Sequence, residues 1–454
     1  MASWGDEFFD PKRFAAEGYP YEAWARMRRE EPVARVDGFA YEPFWAVTRH
    51  ADVTRISRDP ETFCSAASNL VFRRDMLHRK AALGAALGSA WRSGILFQPT
   101  ALRALFGAVR HAKQFPGAGG LKMLLNLDPP EHGDLRRILA KRFTVRGLAP
   151  FEPAIRALAV ETVDGVVARA ADPARRGEPF DFVLDVAARF PMAVVNELLG
   201  VPRTDFDMLF RWSNEIVGAG DEEYAEGRST AETIQDAQLA LFVYFARHLN
   251  HRRRSPGLDL VSQLAHARVG DRALTDFEIL SYCFLLLLAG NETTRNATSG
   301  GMVAMLDRPE LWRRLRAEPA LLETAVDEIV RWSSPIVYFA RTATREVELG
   351  GRTIRAGDRL ALFYASANRD ETVFADPDAF DPARSPNPHL AFGFGEHFCM
   401  GARLARLELS LLFGELLRRA PELEPAGPVA RLASNFVGGV KHLPVRFRKG
   451  TVRN

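Results

Sequence analysis

Phe392-Gly393-Phe394-Gly395-Glu396-His397-Phe398-Cys399-Met400-Gly401 is the stretch on which the fold turns, and Ala402–Leu412 directly behind it has the pattern of an amphipathic helix. A glycine-punctuated loop thus delivers a cysteine to a helix start. Gly395 and Gly401 permit backbone angles or close approaches that a Cβ would obstruct. Backbone N–H groups at a helix start favour an anion, so the spacing predicts a lowered pKa for Cys399 and a thiolate. A thiolate attacks carbon or binds a metal. Phe392 and Phe398 add flat apolar surface, which suits a large aromatic ligand better than a peptide. A lone cysteine in a tight turn is usually structural, so the loop must be read with its companions.

The totals describe an ordinary globular chain: 454 residues, 47% hydrophobic, 26% charged, formal net charge +3. That composition supports a sizeable core and gives no overall attraction to nucleic acid. Cys64, Cys283 and Cys399 are widely spaced and odd in number, which argues against a disulfide framework and fits a reducing cytoplasm. The opening Met1-Ala2-Ser3-Trp4 lacks the basic and apolar regions of a secretory signal. The apolar run Phe284–Ala289 is far short of the roughly 20 residues of a membrane span. Pro32–Val36 and Phe44–Val47 flank Asp37-Gly38 as a hairpin. No repeat or low-complexity linker divides the chain, which reads as one integrated, mostly helical domain.

Phe151–Ala171, Asp181–Leu199, Asp205–Val217 and Thr230–Asn250 read as helices. Thr275-Asp276-Phe277-Glu278 has capping-box form, and a helical pattern then runs to about Leu306. At roughly 1.5 Å per residue that is about 45 Å, enough to cross a domain of this size. Its first half is apolar. Then Ala289-Gly290-Asn291-Glu292-Thr293-Thr294-Arg295-Asn296 follows without a break, and residues so poorly suited to a buried helix point to a working site.

Phe392, Gly395, Cys399 and Gly401, as Phe-x-x-Gly-x-x-x-Cys-x-Gly, resemble the haem-binding loop of the cytochrome P-450 monooxygenases, in which a cysteine thiolate holds the haem iron. The resemblance covers nearly the whole chain. It implies a mainly α fold with small β-sheets (α+β): a triangular helical prism over residues 1–454, with haem b between the long central helix and the cysteine-loop helix. Cys399 is then the iron ligand. Asp128-Pro129-Pro130-Glu131 starts a helix carrying His132 and Arg136 on one face; with Arg341 and His397 they match the family's haem-propionate contacts, cationic donors suited to carboxylates. Ala289, Gly290, Glu292 and Thr293 match the oxygen-activation motif. Gly290 is expected to remove bulk where dioxygen sits. A threonine hydroxyl turned onto a preceding carbonyl bends the helix, and Glu292 with Thr293 would relay protons so that the O–O bond breaks heterolytically.

Glu328 and Arg331, joined by Arg384, match a structural triad ahead of the cysteine loop, and His389 is taken as structural. Substrate contacts are expected from Leu285, Leu286, Ala289, Ile336, Val337, Tyr338, Phe339, Phe436 and Val437, the last two at the tip of a hairpin within Ser434–Phe447. The helices around 205–217 and 230–250 correspond to a roof that opens to admit substrate. The implied activity inserts one oxygen atom from O2 into a hydrophobic substrate, a sterol, terpenoid or branched or fatty chain. Electrons would come from a separate acidic ferredoxin-type donor at a basic face (Arg137, Lys141, Arg142, Arg403, Arg406), and the protein would be a cytoplasmic monomer. Rival readings are a peroxide-driven haem-thiolate enzyme and a non-catalytic haem sensor.

Residues 65–126 depart from the family pattern. They hold nine Lys or Arg (Arg73, Arg74, Arg79, Lys80, Arg92, Arg103, Arg110, Lys113, Lys122) against one acid, Asp75. Leu102, Leu105, Phe106 and Val109 form an apolar stripe, and Gln114–Gly120 a hinge. The segment reads as an extra solvated helix pair or as a basic lid that can touch an anionic membrane surface or a lipid-like substrate.

Overall fold

The computed structural model describes residues 4, 8–38, 40–66, 69–71, 95, 98–114, 121–219 and 221–451. The helix Asp276–Asp307, 32 residues long, runs through the main core. It starts where its capping box requires: the Thr275 hydroxyl accepts from the Glu278 N–H, and the Glu278 carboxylate accepts from the Thr275 N–H. Arg272 and Lys122 hold that carboxylate at 2.7 and 2.9 Å. Burial alone would raise its pKa; the bonds from Arg272, the Thr275 backbone and Lys122 bring it down to about 2. Around this central helix pack Arg189–Leu199, Leu322–Ser333, Pro99–Gln114, the cysteine-loop helix Ala402–Arg419 and the two helices Phe206–Val217 and Thr230–Arg254, expected from the sequence to form the roof. Among the described residues no helix is long and apolar enough to cross a membrane.

Helix Pro99–Gln114 meets the central helix through small residues. Ala101 and Ala104 are fully buried, and a Cβ on Gly107 would stand 2.7 Å from Phe277 Cβ. The stripe of Leu102, Leu105, Phe106 and Val109 is split: Leu105 packs against the core, while Phe106 is 66% and Val109 49% exposed. Arg73, Arg74, Asp75, Arg79, Lys80, Arg92 and hinge residues 115–120 lie outside the described residues.

Val33–Val36 and Phe44–Val47 form the expected antiparallel hairpin. It extends into a five-stranded sheet through Arg359–Phe363, Tyr338–Ala343 and Phe63–Cys64. Two boundaries differ from the sequence reading. Val440–His442 pairs with Ala430–Arg431, whereas Pro444–Phe447 pairs with Leu423–Pro425 and Phe180–Asp181. The hairpin is thus 430–442, its tip still around Phe436 and Val437. The helix expected over Asp181–Leu199 opens as a π-helical turn at Val183–Ala187 and becomes α-helical at Arg189, while Asp181 itself ends a short strand and its carboxylate accepts from the Val183 and Leu443 N–H groups.

Glu328 and Arg331, separated by one helical turn, are fully buried and form two bonds of 2.7 and 2.8 Å. Arg384 reaches the same carboxylate at 3.1 Å, and the two guanidinium groups also donate to carbonyls of Asn368, Ala375, Pro377 and Ala379. A buried carboxylate facing two arginines with their spare donors satisfied pins the chain ahead of the cysteine loop. His389 is structural as well, packed on the Phe392 ring at 5.5 Å and 3.3 Å from Asp327.

Candidate active site

The cysteine loop needs its glycines for different reasons. Gly395 sits at φ +69°, and a Cβ there would collide with the Ser57 carbonyl at 2.2 Å. Gly401 has an ordinary φ, and its Cβ would lie 3.8 Å from Cys399 Sγ; glycine there keeps the flank of the sulfur bare. The Cys399 N–H donates to the Phe392 carbonyl at 2.8 Å, so the loop closes on itself ahead of helix Ala402–Arg419. Cys399 has free surface, yet by depth it is wholly enclosed, so that surface faces inward. The expected lowering of its pKa is not the net result. Burial pushes the thiol up, against the Gly401 and Ala402 N–H groups and the charges of Arg136 and Arg406, which pull it down. A cation at the sulfur is what would complete the thiolate.

The four expected propionate contacts converge. The His132 and His397 rings lie 4.3 Å apart. Arg136 donates to the Phe398 carbonyl at 2.7 Å, joining helix Glu131–Ala140 to the loop. Arg341 is buried and acts electrostatically on both histidines. Burial and then Arg136 push His132 down to about 4; burial, then Arg341, His132 and Arg136, push His397 to about 2. In the pocket as it stands Arg136 and Arg341 supply the positive charge, and each imidazole keeps an N–H to donate. Neither arginine pairs with a carboxylate among the described residues. Two arginines without a carboxylate partner among the described residues, two imidazole N–H donors and a sulfur whose flank is a glycine fit a haem with its propionates.

On the central helix, Ala289 is exposed and Thr293 half-exposed, one turn apart, while the surrounding positions are mostly buried. Thr293 Oγ1 donates to the Ala289 carbonyl at 2.7 Å, the back-bond expected of it. Gly290 departs from expectation: a Cβ there would meet Val195 Cγ2 at 2.7 Å. The glycine is filled by a neighbouring helix and does not keep space open beside Ala289. Glu292 is buried and paired with Arg295 at 2.5 Å, with Asn291 donating to it at 3.2 Å. Burial raises its pKa against the pull of Arg295. Arg295 in turn donates to Asn214 of the first roof helix at 2.8 Å. Arg295 and Asn214 carried no role in the sequence reading, although the i, i+3 spacing of Glu292 and Arg295 signals the pair. Glu408 also went unassigned. It is fully buried on the cysteine-loop helix, at core spacing with Leu404 and Leu411, and burial holds its carboxyl well above the usual range.

Of the expected substrate contacts, Leu285, Leu286, Ile336, Phe339 and Phe436 keep partial exposure. Ile336 bridges to Val437, itself almost fully buried, and the Phe339 and Phe436 rings lie 5.4 Å apart. Val337 and Tyr338 turn away. Val337 has no exposed surface, and Tyr338 is packed among Phe9, Phe363 and Phe436 with its hydroxyl accepting from the Val71 N–H. Strand alternation puts Tyr338 and Phe339 on opposite faces, so both cannot line one pocket. On the basic face, Arg406 is held by Asp327, Arg142 by Gln263 and Arg137 by Asp134, leaving Lys141 and Arg403 exposed and without a carboxylate partner among the described residues.

Known proteins resemble this chain along its length. A family model described as cytochrome P450 matches residues 221–421. A steroid C26-monooxygenase of Mycolicibacterium smegmatis is 36% identical over 440 residues, covering 95% of this chain and 91% of the relative. A methyl-branched lipid omega-hydroxylase of Mycobacterium tuberculosis is 36% identical over 433 residues, 94% of this chain and 90% of the relative. Among solved structures, CYP108D1 of Novosphingobium aromaticivorans superposes with a TM-score of 0.81 at 32% identity over 97% of both chains. CYP268A2 of Mycobacterium marinum, in complex with pseudoionone, gives 0.81 at 32% identity over 98% of both.

Proposed function

The chain belongs to the cytochrome P450 family, and from that premise we propose that Cys399 ligates its haem and that it hydroxylates an apolar chain of a sterol or methyl-branched lipid. As a family member it is a cytochrome P450 monooxygenase and binds haem b. The observation that carries the haem site is the convergence of Arg136, Arg341, His132 and His397 beside the cysteine loop, with no carboxylate to neutralise the arginines among the described residues. The substrate class rests on the two mycobacterial relatives and on the apolar rim of Leu285, Leu286, Ile336, Phe339 and Phe436.

Bound haem supplies dioxygen activation, with thiolate electron density favouring O–O cleavage. The chain's own work is with protons. Thr293 parks its hydroxyl proton on the Ala289 carbonyl; turning away frees it to donate toward the ligand. Glu292 is the store behind it, and its carboxyl must leave Arg295 to resupply Thr293. Successive helix positions point about 100° apart, so resupply runs through that swing or through water.

A separate acidic ferredoxin would deliver electrons at Lys141 and Arg403, the exposed cations without a carboxylate partner among the described residues, with a rate that falls as salt is added. Three free cysteines suit the cytoplasm as its setting. Outward Phe106 and Val109 beside exposed Arg110 support residues 65–126 as an entrance lid able to touch an anionic membrane or lipid-like substrate; unchanged vesicle binding and substrate entry in a Phe106→Ser, Val109→Ser variant, which leaves the core face of helix Pro99–Gln114 intact, would remove that role.

Reduced protein under carbon monoxide should give the long-wavelength absorption of a thiolate-bound haem, and Cys399→Ser should lose it. Its absence from folded, haem-loaded wild type refutes the assignment. Titration with sterols and with methyl-branched fatty acids should shift the ferric haem from low to high spin; no shift with either class removes the substrate assignment.

A further inference from the structure

The two roof helices are joined through the short helix Glu222–Ala225, and that junction is fastened to the terminal hairpin by charge. Lys441 Nζ lies 2.9 Å from Asp221 Oδ1 and 2.9 Å from Glu223 Oε2. Next to it, His442 touches a carboxylate with each ring nitrogen: Nδ1 lies 2.5 Å from Asp181 Oδ2, and Nε2 lies 3.0 Å from Glu223 Oε1. A neutral imidazole has one N–H. Only the protonated ring can donate to both carboxylates; after deprotonation one nitrogen faces an anion lone pair to lone pair. Asp181, in turn, is fixed by the Val183 and Leu443 N–H groups, so it anchors the ring to the body of the protein.

The neighbouring charges sharpen the effect. Asp181 comes from strand Phe180–Asp181 and Asp221 and Glu223 from the roof junction. Lys441 flanks the ring, Asp185 lies on the π-helical turn packed against the hairpin strand, and Arg431 lies on the paired strand. With His442 charged, Asp181, Asp221 and Glu223 face two cations; with it neutral they face Lys441 alone. The hairpin that carries this cluster also carries Phe436 and Val437 at its tip, so the cluster ties the roof to the loop facing the substrate.

We propose that His442, clamped between Asp181 and Glu223, is a pH-sensitive latch that holds the roof junction against the terminal hairpin and slackens when the ring loses its proton. The proposal rests on reading the two helices as the roof over the substrate. Burial alone would make His442 easier to deprotonate, but its bonds to Asp181 and Glu223 outweigh that and raise its pKa above the ordinary 6.5. The latch is therefore fully closed below that ordinary value and opens as pH rises through the raised one.

Hydrogen–deuterium exchange on the haem-loaded protein, corrected for intrinsic rates, tests this at residues 222–229 across roughly pH 5.5 to 8.5. Wild-type protection should fall by about two- to fivefold with rising pH, the factor of a half-exposed ion pair. His442→Gln should show the lower protection at every pH, and Glu223→Gln should flatten the dependence. Binding of a bulky azole to the ferric haem, followed by stopped flow, should quicken over the same interval in wild type and not in His442→Gln. Equal pH dependence of exchange in wild type and His442→Gln overturns the latch. Exchange that follows the prediction while azole entry does not respond to pH keeps the latch and removes the roof reading.

Discussion

Gly290→Ala separates two meanings of one glycine. If Gly290 keeps space open for oxygen, a methyl there should disturb the haem pocket and leave packing alone. The geometry points the other way, with the new Cβ 2.7 Å from Val195 Cγ2. Overpacking of that kind costs about 1–3 kcal/mol, while exchanging a mid-helix glycine for alanine returns about 0.5–1 kcal/mol. The net expectation is a loss of about 0–2.5 kcal/mol, or up to roughly 2–3 °C in the unfolding midpoint of a chain this long. Val195 is nearly fully buried, so Val195→Ala alone should cost about 1–3 kcal/mol for the methyl groups it removes. The double variant should then cost less than the sum of the two, with a coupling of about 0.5–3 kcal/mol, because the alanine methyl moves into the space the valine vacates. Thermal unfolding of the four haem-loaded proteins gives the cycle, and ferric spin state with carbon monoxide spectra reports on the pocket. Strict additivity, or a pocket spectrum altered in Gly290→Ala at unchanged stability, would refute the packing argument.

Arg331→Leu should cost about 3–5 kcal/mol and yield little haem-loaded protein, since it leaves Glu328 buried with Arg384 as its one cation and takes the guanidinium donor from the Asn368 and Pro377 carbonyls; haem content per folded chain measures it. Arg295→Leu should leave Glu292 buried without its cation, shifting the carboxyl further toward the protonated form, and should move the acid-limited limb of the turnover pH profile upward. An unshifted limb would separate Glu292 from the proton supply. Glu408→Gln should stabilise the protein relative to wild type as pH rises. The folded state keeps that carboxyl protonated while the unfolded state ionises it, so wild type loses up to about 1.4 kcal/mol per pH unit above the ordinary carboxylate range and the amide does not. Unfolding of both proteins between about pH 5 and 7 reads the difference.

The haem site was legible because each part of it is a short local pattern with a fixed chemical demand. The cysteine loop, the His132–Arg136 turn and the capping box of the central helix each lie within a dozen residues, so backbone rules locate them; their roles came from the resemblance, because a lone cysteine in a tight turn is structural by default and an i, i+4 pair a surface one. Arg341 and the Glu328–Arg331 pair needed the resemblance as well, since an isolated arginine or an i, i+3 pair is as common on a surface as in a core. What failed was pairing between distant segments. Nothing around Ser434–Phe447 announces that its two strands separate, one to Ala430–Arg431 and the other to Phe180–Asp181. On helix Pro99–Gln114 the apolar stripe did not reveal which face packs: Phe106 and Val109 stay outward, whereas close helix contact selected Ala101, Ala104 and Gly107.

Gly290 and Glu292 show why a run of misfit residues can be located from sequence without its roles being assigned. A glycine inside a helix means either that a ligand needs room or that a neighbouring helix does, and only the position of Val195 decides. A glutamate beside a threonine means either a relay pair or two residues on different faces. At 3.6 residues per turn they point apart, and Glu292 spends its charge on Arg295, which is itself held by the roof through Asn214. The acid therefore answers to the roof helix before it answers to Thr293. A displacement of helix Phe206–Val217 that takes Asn214 away from Arg295 loosens the cation and with it the carboxyl, so under the proposed relay roof position and proton supply would share one chain of contacts. Asn214→Ala isolates that link. It leaves both helices and the Glu292–Arg295 pair in place, removes one bond worth about 1.5–3 kcal/mol to a charged partner, and should alter the pH profile of turnover more than the affinity for substrate. An unchanged profile would leave Glu292 governed by Arg295 alone.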